Sequence, residues 1–84
     1  MSSIAKVVET FNDGQWVTLL LYNEITKMGF YYTFATSDLV YKWSEILKDL
    51  RELDTSNHPK SATVISRPFD TVDELISYFE DNLL

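Results

Sequence analysis

Phe30-Tyr31-Tyr32-Thr33-Phe34-Ala35 is followed, after Thr36-Ser37-Asp38, by Leu39, Val40, Trp43, Ile46, Leu47, Leu50 and Leu53. The first stretch is aromatic and carries a β-branched residue, which suits a pleated surface and predicts a strand. The second places apolar residues at steps of one, three and four, which is a single stripe on an α-helix. The change of period between them sets the fold class: strands come first and helices follow. Thr36, Ser37 or Asp38 can cap the helix start. Lys48 and Arg51 near its end complement the helix dipole. Asp54-Thr55-Ser56-Asn57-His58-Pro59 ends it, because Pro59 cannot continue a helix and biases His58 towards an extended backbone.

Upstream, residues 4–11 are β-branched and roughly alternating, and predict a strand. Asn12-Asp13-Gly14 is a turn signal, and a three-residue loop with Gly14 left-handed fits it. Residues 15–25 predict a second strand, and Thr26-Lys27-Met28-Gly29 turns the chain into the aromatic third. Downstream, residues 61–67 predict a short fourth strand closed by Pro68. Thr71-Val72-Asp73-Glu74 matches a capping box. Val72, Leu75, Ile76, Phe79 and Leu83 repeat the helical stripe.

The expectation is one α+β domain over residues 1–84, in the order βββαβα: an antiparallel three-stranded meander, a fourth short strand and two helices packed on one sheet face. A right-handed crossover through the first helix would join strands three and four.

Side-chain alternation divides the second strand into two sets. Val17, Leu19, Leu21 and Ile25 are expected to face the helices. Turn lengths of three and four residues would set Val7 opposite Leu19, Ala5 opposite Leu21, Phe34 opposite Leu21 and Phe30 opposite Ile25. The far face then carries Trp16, Leu20, Tyr22 and Tyr31, which is too apolar for a solvated face and reads as a partner-binding surface. The competing reading is that these side chains lie under a loop or pack on one another.

Charge supplies a second candidate. Thirteen acids against seven bases give a net charge of −6. Residues 61–84 hold Arg67 alone against Asp70, Asp73, Glu74, Glu80 and Asp81. Asp73, Glu74, Glu80 and Asp81 lie off the apolar stripe of the last helix, as a partner-binding acidic patch or simply a solvated face. This balance disfavours direct binding to nucleic acid and to anionic lipid.

No cysteine is present, so disulfides and thiolate metal sites are excluded. His58 is the only histidine, and nothing in its spacing names a nucleophile or a metal set with it. The two glycines, Gly14 and Gly29, make no phosphate-cradling loop. Arg67 is read as a strand-end charge paired with a helix acid. The amino-terminal residues do not read as a signal peptide, and no apolar run reaches the length of a membrane span. No catalytic role, metal or cofactor is therefore expected.

The functional expectation is a small acidic protein-binding module in the cytoplasm, an inhibitor or adaptor that occupies a partner's surface. A narrower form has it cover a basic nucleic-acid-binding protein, by analogy of size and charge alone with small acidic anti-restriction and anti-CRISPR proteins. The alternative is a structural subunit of a homo-oligomer, a homodimer included.

Overall fold

The computed structural model describes residues 4–55 and 59–84. Its elements are β1 (Lys6–Asn12), β2 (Trp16–Asn23), β3 (Met28–Ala35), α1 (Asp38–Tyr41), α2 (Trp43–Thr55), β4 (Thr63–Pro68) and α3 (Val72–Asn82). The strands form one sheet in the order β1-β2-β3-β4, antiparallel throughout. The α+β class and the order of strands and helices are those the sequence predicts. β4 returns antiparallel beside β3, so the connection through the helices is not the right-handed crossover considered from the sequence.

Both hairpins turn earlier or tighter than their composition suggests. Gly14 has a φ of +91° and Gln15 does not share it, the pattern of a two-residue turn with glycine at its first central position. Asp13 N–H donates to Trp16 O at 3.2 Å, and Asp13 Oδ1 accepts from Gln15 N–H and Trp16 N–H. The second turn lies at residues 24–27 rather than 26–29. Asn23 sets it: its side-chain oxygen accepts from Ile25 N–H and Thr26 N–H, and its carbonyl accepts from Lys27 N–H at 2.8 Å. Lys27, not glycine, takes the positive φ there, at 66°. Ile25 is thus in an exposed turn and not in the core.

The observed pairs are Val7 with Leu21, Leu21 with Phe30 and Val17 with Phe34. At these pairs the shift from the expected register is an even number of residues, and beyond Val7 the β1 shift is odd. The division of β2 into two faces survives because it follows from alternation along β2 itself. A bulge between Val7 and Glu9 adds a residue to β1. It brings Val8 and Phe11, three positions apart, onto the same packed side.

The helices cover opposite faces, and this corrects the expected arrangement. Leu50 and Leu53 of α2 pack with Ala5, Leu21 and Phe30. Leu75 and Phe79 of α3 pack with Leu20, Tyr22 and Ile65 on the other face. The chain changes sides at Phe69, which is buried in the second cluster. Phe69 N–H donates to Lys27 O at 2.9 Å, and the Tyr22 hydroxyl donates to Phe69 O. The physical cause is the apolarity of the face itself, which is too rich in leucine and aromatics to be left in water.

The one long helix expected over 39–53 is broken. Lys42, with φ −126° and ψ 26°, caps a single turn, and α2 starts afresh at Trp43. Thr71 caps α3 as expected, its hydroxyl accepting from Glu74 N–H at 3.2 Å. The terminating residues 56–58, with His58 among them, lie outside the described residues.

Gly29 is not a turn residue. It sits in β3 between Tyr22 and Ile65, and a Cβ there would lie 2.6 Å from Leu75 Cδ1 and 3.2 Å from Cδ2. Leu75 is fully buried and has nowhere to retreat. The absent side chain is what lets α3 lie directly on the sheet. Gly29→Ala should cost about 1–3 kcal/mol through overpacking, and urea unfolding should show a smaller cost when Leu75→Ala is already present.

Candidate functional site

The expected aromatic sheet face is not exposed. Leu20 is fully buried, Tyr22 is 5% exposed, and Tyr31 is half-buried with its ring 5.4 Å from that of Phe79. These three belong to the core beneath α3. Burial pushes the Tyr22 hydroxyl above its ordinary pKa, with the charges of Asp70, Glu24 and Glu74 adding to the effect. Of the four expected anchors only Trp16 is largely exposed.

The acidic set is also divided. Asp73, Glu74, Glu80 and Asp81 are all exposed on α3. Glu74 is engaged by Arg67 at 3.6 Å, and the Arg67 guanidinium lies over the rings of Phe69 (4.8 Å) and Tyr78 (5.1 Å). The reading of Arg67 as a strand-end charge paired with a helix acid fits this contact. Asp73 and Glu74 mark the start of α3. Its first residue, Val72, lies beside Ile4 and Lys6 at the start of β1. Glu80 and Asp81 are in the last turn, and Leu84 just beyond lies beside Asn12, Asp13 and Trp16 at the other end of the sheet.

That second end is where the surface becomes unusual. The β1–β2 turn, the last pair of β3 (Ala35 with Trp16) and the start of α1 lie at this end, and the end of α3 approaches it through Leu84. Thr36 N–H donates to Gln15 O at 2.9 Å and its hydroxyl lies on Gly14 O, tying the exit of β3 to the first turn. Thr36 and Ser37 alone separate β3 from α1, and none of the four residues of α1 is buried. Leu39, Val40 and Trp43, which share the expected helical stripe, are exposed, and so is Tyr41 beside them. Val40 is 78% and Tyr41 84% exposed. Trp16, Leu83 and Leu84 add to this end. Seven of the ten exposed large apolar residues among the described residues belong to segments that start or finish at this end of the sheet. Asp13, Asp38, Glu45, Glu80 and Asp81 are the acids of this end and Lys42 its base.

Two polar contacts hold α2 so that its amino-terminal residues stay at this end. Tyr32 donates to Asp49 Oδ2 at 3.0 Å. Burial raises the Tyr32 pKa to about 12, with the Asp49 bond and charge adding to it. Glu52 accepts from Lys60 N–H, Ser61 N–H and the Ser61 hydroxyl across the return to β4. Burial opposes the Glu52 charge, but these bonds and the Lys60 charge outweigh it and hold its pKa below the ordinary value.

No group of three or more acidic or histidine side chains able to hold a metal occurs among the described residues. No helix among them is long and apolar enough to cross a membrane. Comparisons with protein-family models, curated proteins and solved structures return no match.

The two titrations have opposite signs. Glu52 has a lowered folded pKa, so its contribution is present above the unfolded value near 4.5 and is lost as pH falls through the folded one. Thermal unfolding of Glu52→Gln should thus lose part of the acid limb seen in the wild type. Tyr32 has a raised folded pKa, so its contribution is full below pH about 10 and is lost as pH rises towards about 12. Tyr32→Phe should flatten the alkaline limb in the same measurement.

Proposed function

We propose that this chain is a protein-binding module that acts by occupying a partner's surface, with the α1 end of the sheet as its contact. The observation that carries the reading is the exposure of Leu39, Val40, Tyr41 and Trp43 together, in a chain that buries its other apolar face under α3. Aromatic side chains are the usual anchors of interfaces, because they remove much apolar area from water for few frozen torsions. Asp13, Glu80 and Asp81 at the same end favour a partner with basic groups around an apolar patch.

On this reading the chain binds and does not catalyse, and it needs no cofactor. It does not touch nucleic acid or membrane directly, since its net charge of −6 would oppose both. The narrower form is an inhibitor or adaptor in the cytoplasm that covers a basic nucleic-acid-binding surface, by the analogy of size and charge drawn above. The acids expected on α3 keep a part in this, Glu80 and Asp81 within the contact and Asp73 outside it.

The test is a partner recovered on the immobilised chain from its native source, identified, purified and titrated. Val40→Asp and Tyr41→Asp should each raise Kd by at least about tenfold, with stability unchanged to within about 0.5 kcal/mol because both sites are exposed. Ile25→Asp, equally exposed at the opposite end, should leave Kd alone. Rising salt should weaken the complex as the acids are screened. Binding that ignores both α1 variants would overturn the proposal. So would a concentration-dependent dimer in sedimentation that Tyr41→Asp abolishes, which would assign this surface to a second copy of the chain.

A further inference from the structure

A cavity of about 470 Å³ opens at this same end, between Phe11, Asp13, Trp16, Thr18 and Leu84. Its size lies in the range of small ligand pockets. Phe11 is fixed from behind by Phe79, with ring centroids 5.3 Å apart. Thr18 is fixed by Thr33, hydroxyl to hydroxyl at 2.9 Å. Asp13 is fixed by the turn, and both backbone bonds end on Oδ1. A carboxylate has about four acceptor positions, so Asp13 keeps capacity for a further donor. The N–H groups of Trp16 first, then of Gln15, favour its charged form and lower its pKa. The opening thus combines aromatic walls with an immobilised carboxylate, and among the described residues no lysine or arginine lines it.

That combination is complementary to an organic cation. Aromatic faces attract one through their quadrupole, and a fixed carboxylate supplies charge and a hydrogen-bond acceptor. A bare metal ion would find only one carboxylate here, and an anion would meet the same charge with the wrong sign. The planar guanidinium can lie on an indole and bond a carboxylate at once, which an ammonium does less well. We infer that the cavity beside Asp13 and Trp16 receives an arginine side chain of the partner protein. The inference rests on the protein-binding reading and gives that partner a specific anchor.

The probe is a short arginine peptide, glycyl-arginyl-glycinamide, and its citrulline counterpart, which keeps the shape and loses the charge. Binding is followed by the indole N–H resonance of Trp16, assigned with Trp43→Phe. The arginine peptide should shift that resonance with a Kd in the millimolar range, and the citrulline peptide should bind at least about fivefold more weakly. Asp13→Asn preserves the oxygen that caps the turn and removes the charge. It should weaken the arginine peptide about threefold to tenfold in a protein that its thermal unfolding curve shows to be folded at the assay temperature. Free arginine amide should shift the same resonance, since the pocket reads the side chain. Equal binding of the arginine and citrulline peptides would overturn the inference, as would indifference to Asp13→Asn or no shift at Trp16. None of these failures touches the α1 contact, which stands or falls by Val40→Asp and Tyr41→Asp.

Discussion

The structure depends on burying β2 from both sides. Leu20 and Leu21 are consecutive and both fully buried, and because alternation sends them to opposite faces, each face needs its own cover. α2 supplies one through Leu50 and Leu53, and α3 supplies the other through Leu75 and Phe79. A single layer of helices would leave Leu20, Tyr22 and Ile65 in water. The thinness of the cover is set at Gly29, where the absence of a Cβ admits Leu75.

Two covered faces leave only edges and ends for contact with other molecules. The β1 edge is interrupted by the bulge at Val8, and β4 ends at Pro68, features that discourage strand addition. Among the ends, the one carrying α1 is distinguished by its apolar exposure. The short connection after β3 starts α1 at the end of the sheet, and none of its four residues is buried. The stripe that continues as buried Ile46 and Leu53 therefore begins in solvent at Leu39 and Val40.

The same end shows how local hydrogen bonding prepares a surface. Asp13 spends one oxygen on closing the first hairpin, which immobilises its charge beside Trp16. Thr36 ties the exit of β3 to the same turn, and Glu52 closes the far end of α2 on Lys60 and Ser61. A surface held by its own turns and helix ends loses little freedom on binding, which favours affinity for a given area.

The sequence by itself determined the order of elements, the division of β2 into two faces, the Thr71 cap and the position of Gly14. Each rests on neighbours in the chain: period, capping chemistry and turn glycine act over a few residues. It misread Leu20, Tyr22 and Tyr31 as a surface, although the run Leu19-Leu20-Leu21 is itself the mark of a strand buried on both sides. It misread Leu39, Val40 and Trp43 as core, because a helical stripe says which residues share a face and not whether anything lies against it. Tertiary structure alone decided where α3 lies, since that follows from the chain passing around the sheet at Phe69. It likewise brought Trp16, Asp13 and Leu84 to one cavity, across a sequence distance that no local pattern spans.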